Sequence, residues 1–344
     1  MWDLDNQTDF AAERNWVRDR NGAEVWIVSV KGTYDIQPDG TLAVAKEQEA
    51  VRFGPEYRGD PVSSSLLYET DLMPTKAATD VILNASAYAP YGEPTQQVDV
   101  SLRIGNWHKT LRVFGDRYCD YLLGLTITSP EPFERLPITY ERAFGGTDQN
   151  DKNPKKHGWD RRNPVGTGFA TKAEHLAQRL APNVEDPRFL ISSWKDRPAP
   201  AGFGPISGHW SPRVELAGTY DDRWQNERLP LVPADFDERF YQFAPVDQQL
   251  ANLRGGEEVV LANLTPAGDL RFRLPRVALA FETDFGIESA QHRSMLHSVI
   301  IEPDIPRLMM VWQTALPCHP KVLKLRQTRI IQKHFIEFRK PEAA

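Results

Sequence analysis

The chain has 344 residues, of which 40% are hydrophobic and 26% charged, an ordinary composition for a globular protein long enough to bury a large core without disulfides. The formal net charge of −6 argues against a dedicated nucleic-acid binder, since such proteins usually carry a basic excess. The two cysteines, Cys119 and Cys318, exclude a disulfide framework and suit a reducing compartment.

Strand signals dominate the first part of the chain. Residues 25–36 are rich in β-branched and aromatic side chains, and a Pro-Asp-Gly turn separates them from a candidate return strand at 41–44. A Gly-Asn pair at 105–106 lies between two strand-like runs, 97–104 and 109–114, and predicts a hairpin. We also predict strands at 79–88 and 122–127.

Regular periodicity fades between residues 145 and 224. This stretch is polar at its start and then repeats Pro, Gly and aromatic residues, so we predict an irregular insertion; long segments of this kind tend to be functional. Within it, Thr171 followed by Glu174 has the form of a capping box and predicts a helix over 171–180.

Strand signals return in the last third of the chain. An acidic N-cap predicts a short helix at 235–243. Strands are then predicted at 258–263, 270–274 and 277–282, with a Pro-Ala-Gly-Asp turn at 266–269 between the first two. The strongest hairpin signal joins 295–301 to 307–315.

These elements predict a mainly β protein with an antiparallel β-sandwich architecture and few short helices. Two β-rich halves, 21–144 and 225–335, would pack together around the loop-rich insertion at 145–224. Residues 1–20 would form a loose segment and 336–344 a tail.

The familiar catalytic motifs are missing from the sequence. There is neither a phosphate-binding P-loop nor an HExxH zinc motif, and Ser207 stands one place from where a GxSxG nucleophile would be. Cys318 and His319 are adjacent and would point to opposite faces of a strand, so we interpret Cys318 as a small buried residue near a strand end. We therefore predict no enzyme, no catalytic residue, no metal and no cofactor.

The histidines and acidic pairs have simpler interpretations than catalysis. His157 and His175 stand in polar or helical surroundings and are expected to be solvated, and no spacing is typical of a zinc site. Acidic pairs at 221–222 and 257–258 could supply the two carboxylates of a glycosidase. Their positions beside predicted turns and strand starts favour structural roles instead.

Several loop segments join Gly or Pro to an aromatic residue or an arginine. Glycine permits close backbone approach, and arginine can satisfy several carbonyl groups at once. Such loops form rigid surfaces that suit protein recognition, in which Arg, Tyr and Trp dominate. The candidate protein-binding residues are Arg142, Phe144, Arg162, Phe203, Trp210 and Trp224.

The same segments resemble one bacterial family. They include YERAFGG at 140–146, RNPVGTGF at 162–169, PAGFGP at 200–205, AGTYD at 217–221 and LRGGE at 253–257. Their order is similar to that in the family called domain of unknown function DUF2169, and the resemblance extends over nearly the whole chain.

The resemblance implies a role that composition does not. Members of this family occur beside type VI secretion genes and are viewed as adaptors or chaperones that load effectors onto the secretion spike. The implied partners are an effector toxin, a PAAR-type tip protein and a VgrG-type spike protein in the cytoplasm of a bacterial donor cell. No nucleic acid and no membrane insertion is expected, and the family supplies no catalytic residues to carry over.

The residues themselves agree with a cytoplasmic location. The N-terminal segment lacks the continuous apolar stretch of a secretion signal, and no run approaches the length of a membrane span. Two alternatives stay open. One is a carbohydrate- or small-ligand-binding β-sandwich module that would use exposed tryptophans, and the other is a hydrolase with an unrecognised carboxylate pair.

Overall fold

The computed structural model describes residues 2–121, 125–251 and 253–333, and it confirms that the protein is mainly β. In chain order the strands are β1 (Asp3–Gln7), β2 (Ala11–Arg18), β3 (Glu24–Ile36), β4 (Leu42–Val44), β5 (Glu56–Tyr57), β6 (Leu66–Tyr68), β7 (Thr79–Leu83), β8 (Ser86–Tyr88), β9 (Gln97–Ile104), β10 (Trp107–Phe114), β11 (Cys119–Tyr121), β12 (Leu125–Ile127), β13 (Arg135–Pro137), β14 (Phe144–Gly145), β15 (Thr147–Asp148), β16 (Gly158–Trp159), β17 (Thr167–Gly168), β18 (Val184–Glu185), β19 (Gln249–Leu250), β20 (Glu258–Ala262), β21 (Leu270–Arg273), β22 (Ala278–Asp284), β23 (Ser289–Arg293), β24 (Met295–Glu302), β25 (Arg307–Pro317) and β26 (Gln327–Lys333).

Helical structure is short throughout the described residues. The α-helices are α1 (Arg213–Leu216) and α2 (Asp222–Glu227), and 3₁₀ turns occur at Pro90–Gly92, Tyr140–Arg142, Pro154–Lys156, Ala173–Leu176, Glu238–Tyr241, Val246–Gln248 and Val322–Lys324. Among the described residues, no helix could span a membrane.

Three larger sheets organise the described chain. Seven strands form one sheet in the order β19-β7-β24-β25-β3-β2, with β4 also paired to β3; the others have the orders β18-β10-β9-β20-β21 and β1-β26-β22-β23. The predicted hairpins β3–β4, β9–β10, β20–β21 and β24–β25 are confirmed. Most pairs are antiparallel, but β7 pairs with β24 and β1 with β26 in parallel.

One apolar cluster fills the space that the three sheets share. Val30 and Val299 enter it from the seven-stranded sheet, Val100 and Val259 from the five-stranded sheet, and Phe281 from the four-stranded sheet; all five are at most 1% exposed. Alternate residues of β9 are buried, as expected for a strand with one face in the core. Side chains from both predicted β-rich halves therefore belong to one core.

The first residues of the chain correct one prediction. Residues 1–20 were expected to be loose, but β1 pairs with β26 and β2 pairs along its whole length with β3. Neither strand is strongly apolar, so its order comes from main-chain pairing with a distant partner, which local composition does not reveal. The tail at 336–344 lies outside the described residues, as do residues 122–124 of the strand predicted at 122–127.

The helix predicted at 171–180 is wrong. Only a 3₁₀ turn, Ala173–Leu176, forms there, because the backbone N–H and the hydroxyl of Thr171 both donate to the Asp148 carboxylate, each at 2.7 Å. Thr171 is therefore hydrogen-bonded to a neighbouring loop and does not cap a helix. The helix predicted at 235–243 is reduced to the 3₁₀ turn Glu238–Tyr241, which Asp237 caps.

The seven-stranded sheet is unusual because its second face is also buried and carries polar residues among apolar ones. The core face carries residues such as Val30, and the alternate positions face the other way. On that second face the polar residues at most 3% exposed are Ser29, Lys31, Thr33, Asp80, Ser298, Glu302 and Gln313. Irregular chain from before β7 and from beyond α2 covers these residues, and each buried polar group then requires a partner.

Asp80 on β7 is one of the most heavily bonded residues of this face. Its carboxylate accepts hydrogen bonds from the Lys76 ammonium at 2.6 Å and the Gln242 amide at 2.8 Å. It also accepts from the backbone N–H groups of Phe243 and Ala244, at 3.0 and 3.1 Å. One carboxylate thus fixes the covering segment to the sheet. Burial lowers the pKa of Lys76, and the negative charge of Asp80 opposes that shift.

Two further buried ion pairs lie in the same layer. The Lys31 ammonium is 2.9 Å from the Asp71 carboxylate and also donates to the Ala50 carbonyl. The Arg213 guanidinium is 2.8 Å from the Glu69 carboxylate. Since a buried charge without a partner is strongly destabilising, these pairs require the covering chain to adopt one position.

We expect Asp80→Asn to lower the free energy of unfolding by about 3–5 kcal/mol, because it leaves the buried Lys76 ammonium without a counter-charge. Glu227→Gln removes the exposed ion pair with Arg223 and should cost less than about 1 kcal/mol. Urea denaturation of both variants measures the difference. Equal, small effects would contradict the importance assigned to Asp80.

Candidate functional site

Ser207 and His209 are close enough for a hydrogen bond, but they lack the surroundings of a catalytic nucleophile and its base. The Ser207 Oγ is 2.9 Å from the His209 Nδ1, and the Tyr57 hydroxyl is 3.3 Å from the same Oγ. Ser207 is fully buried, and no carboxylate of the described chain contacts His209. Burial and the nearby Arg213 charge lower the pKa of His209. The contact therefore orders the loop that contains it.

His175 corrects another prediction. It was expected to be solvated, but its Nδ1 is 2.7 Å from the Asp148 carboxylate and its side chain is only 11% exposed. Burial acts to raise the pKa of Asp148, yet hydrogen bonds from Thr171 and His175 outweigh it and hold that pKa well below its usual range. This cluster holds the loops of the insertion together.

The two cysteines and His292 also have structural roles. Cys318 is 2% exposed just beyond β25, as predicted, and burial raises the pKa of both thiols. His292 contacts the hydroxyls of Thr283 and Thr314, and burial lowers its pKa to about 4. Within residues 2–121, 125–251 and 253–333, no group of three potential ligands could hold a metal ion.

Three of the candidate protein-binding residues lie in the interior. Phe144, Phe203 and Trp210 are 2%, 0% and 1% exposed, so they offer no surface to a partner in this structure. The Trp210 ring packs edge-on against Tyr140 at 5.7 Å. A side chain at Gly202 would meet the same Tyr140 ring at 2.8 Å, so glycine is required for this close approach. These aromatic residues support the loops from the interior of the protein.

Asn163 joins two of the family-like segments. Its side-chain amide donates to the carbonyl groups of Tyr140 and Phe144, at 2.7 and 3.0 Å. Strand β14 pairs with β17 at the same place. The segments at 140–146, 162–169 and 200–205 are therefore brought together and support one another.

The two candidate arginines are partly exposed and already paired. The Arg142 guanidinium bonds to Asp116 at 3.3 Å and to Asn183 at 3.1 Å. Arg162 forms a two-pronged bond to the Asp160 carboxylate, at 2.9 and 2.5 Å. Both hold loops, and each leaves about a third of its side chain accessible.

Trp224 is the candidate that belongs to an exposed apolar patch. Its ring is 4.7 Å from that of Tyr220, edge to face, and Tyr220 and Leu229 are 56% and 57% exposed. We call Tyr220, Trp224 and Leu229 the aromatic patch. Sequence reasoning missed Tyr220 and Leu229, although Tyr220 lies in the AGTYD segment that it had singled out.

The aromatic patch has a fixed backbone. Asp221 caps α2 by accepting from the Trp224 N–H at 2.8 Å, and the Trp224 indole donates to the Leu231 carbonyl at 2.8 Å. Asp235 accepts from both the N–H and the hydroxyl of Thr219. An apolar surface that is ordered before binding loses less entropy when a partner covers it.

The comparisons identify one family. The family model described as "Uncharacterized protein conserved in bacteria (DUF2169)" matches residues 21–313, a range that includes every family-like segment named above. No match was found among curated proteins or among solved structures.

Truncation of a buried aromatic residue and of an exposed one should change the free energy of unfolding by different amounts. We expect Trp210→Ala to lower the free energy of unfolding by about 3–5 kcal/mol, because it empties a fully buried site. Tyr220→Ala should change it by no more than about 0.5 kcal/mol, because that side chain is largely solvated. Chemical denaturation measures both, and a large loss for Tyr220→Ala would contradict its place on the surface.

Proposed function

The chain belongs to the DUF2169 family of uncharacterized proteins conserved in bacteria, and we propose that it is an adaptor of a type VI secretion system. In this role it binds one effector toxin in the donor cytoplasm and brings it to the spike, where VgrG-type and PAAR-type proteins are its further partners. The family resemblance supports the proposed role in secretion, and the surface of this chain supports the proposed binding of a protein.

The observation that carries the proposal is the aromatic patch. Tyr220, Trp224 and Leu229 keep apolar area in water on a loop whose backbone is held by side-chain hydrogen bonds. Tyr and Trp are the residues that most often dominate protein–protein binding energy. A patch of this kind suits recognition of another folded protein.

The buried loop residues support the same proposal. Phe144, Phe203 and Trp210 fill the interior under the irregular segments. Arg142 bonds to Asn183 and Arg162 to the Arg197 carbonyl, so these arginines join separate segments. Long loops that are anchored in this way keep one shape. An adaptor that recognises a specific client benefits from a surface that does not have to be reorganised.

Co-expression with the products of neighbouring genes tests the proposal. We expect affinity purification of this chain to retain an effector, or an effector with a PAAR-type protein, at a fixed stoichiometry in the mass of the intact complex. If the chain purifies alone beside soluble candidate clients, the adaptor function is wrong.

Tyr220→Ala tests the aromatic patch within that experiment. Tyr91→Ala is the matched control, because Tyr91 is a fully exposed tyrosine on a different turn. We expect Tyr220→Ala to reduce the amount of retained partner at least tenfold and Tyr91→Ala to leave it unchanged. Equal retention by both variants would remove the patch from the interface without removing the adaptor function.

A further inference from the structure

A groove of about 930 Å³ lies on the outer side of the four-stranded sheet. Strand β22 runs along it, β23 and β26 border it, and the chain entering β7 and the start of β24 complete its wall. Its size is in the range of sites that bury a ligand. It is separate from the Ser207 contact and contains none of the aromatic-patch residues.

Strand register explains why a groove exists there. Ala280 stands opposite Arg293 of β23 and opposite Ile331 of β26, and directly opposed residues project from the same face of a sheet. Phe281 and Ile330, the chain neighbours of Ala280 and Ile331, are buried in the core. The row of Ala280, Arg293 and Ile331 therefore faces outward. Small alanines at 278 and 280 leave a trough over β22 between longer side chains.

Positive charge exceeds negative charge in the groove. Arg254, Arg293 and Lys333 line it and are exposed, and none of their charged groups has an ion pair or hydrogen bond within the described residues. The one carboxylate among the described lining residues is Glu282, which accepts from the Ser289 hydroxyl. Elsewhere, as at Arg162 or Arg112, guanidinium groups are matched to carboxylates. The groove therefore attracts negative charge.

The groove also adjoins an open strand edge. Strand β23 is the last strand of its sheet and pairs only with β22 among the described strands. Its Gln291, His292 and Arg293 line the groove. A strand edge offers main-chain hydrogen bonds to an extended segment, and pockets beside it select alternate side chains.

We propose that this groove binds an extended, acidic segment of a partner protein. From Ala278 to Glu282 the trough is about 13 Å long at 3.3 Å per residue, enough for four or five extended residues. Small or apolar side chains of the segment pack over Ala280 beside Ile331 and Met295, which are 38% and 58% exposed. Its carboxylates pair with Arg254, Arg293 and Lys333. The proposal rests on the proposed function, since the partner is the adaptor's client.

Peptide binding tests the groove without a client. The probes are two fluorescein-labelled decapeptides, one of alternating Glu and Val and one of alternating Lys and Val, and the readout is fluorescence polarisation with the full chain at low and at 0.5 M salt. We expect saturable binding of the Glu-Val peptide alone, weakened by salt because exposed charges are screened. Absence of saturable binding, or equal binding of both peptides, would overturn the proposal.

Two groove variants and two matched controls localise the binding. Ala280→Phe fills the trough from its outward face, and Arg293→Glu with Lys333→Glu reverses two of the charges. Ala43→Phe alters an exposed alanine of strand β4, and Lys46→Glu reverses the charge of an exposed lysine outside the groove. We expect each groove variant to weaken binding at least tenfold and the controls to weaken it less than twofold. The charge variant keeps the test valid if Ala280→Phe fails to fold. Unchanged binding by a folded groove variant would overturn the proposal.

Cross-linking identifies the natural occupant. The photoreactive residue p-benzoylphenylalanine replaces Gln291 in the full chain, which is then co-expressed with its client. A cross-link to a short acidic segment of the client supports the proposal, whereas a cross-link to residues 334–344 or to a second copy of this chain overturns it. If the unmodified chain retains no client, the proposed function has failed; if it retains the client and the groove variants do so equally, the groove proposal alone has failed.

Discussion

The Asp80 carboxylate, with its four hydrogen bonds, is the contact on which the arrangement of this molecule most depends. A seven-stranded sheet that is apolar on one face can leave its other face in water, but here both faces are covered. The second face contains charged groups, so the covering chain must supply opposite charges and hydrogen bonds at fixed positions. Asp80 bonds to Lys76 before β7 and, beyond α2, to the Gln242 side-chain amide and the backbone N–H groups of Phe243 and Ala244.

This constraint explains how a protein with so much irregular chain can present fixed surfaces. The aromatic patch is held by Asp221 and Asp235 at its turns. The groove lies on a different part of the molecule, on regular strands whose inner face belongs to the shared core. The proposed adaptor function requires one surface for a client and one for a secretion spike. Two separate surfaces of different chemistry, one aromatic and one cationic, are compatible with that proposal.

Local patterns in the sequence predicted the parts of the fold that depend on local interactions. The hairpins at β3–β4, β9–β10, β20–β21 and β24–β25 follow from turn residues and period-two runs. The parallel pairing of β7 with β24, the order of β1 and the partners of His175 depend on residues far away in the chain. For the same reason, composition alone marked Phe203 and Trp210 as loop aromatics and could not show that they are buried. The row of Ala280, Arg293 and Ile331 forms only once the distant strand β26 is in register with β22 and β23.

Hydrogen–deuterium exchange on the chain alone and in complex with its copurified effector tests the account most directly. We predict slower exchange at 278–282 and 289–293 in the complex, because the client covers the trough and the β23 edge. The amides of Phe243 and Ala244, which donate to Asp80, should exchange equally slowly in both states, because the covering layer is already fixed. Unchanged exchange in β22 and β23, or a large slowing at Phe243 and Ala244 on binding, would contradict an adaptor that acts through preformed surfaces.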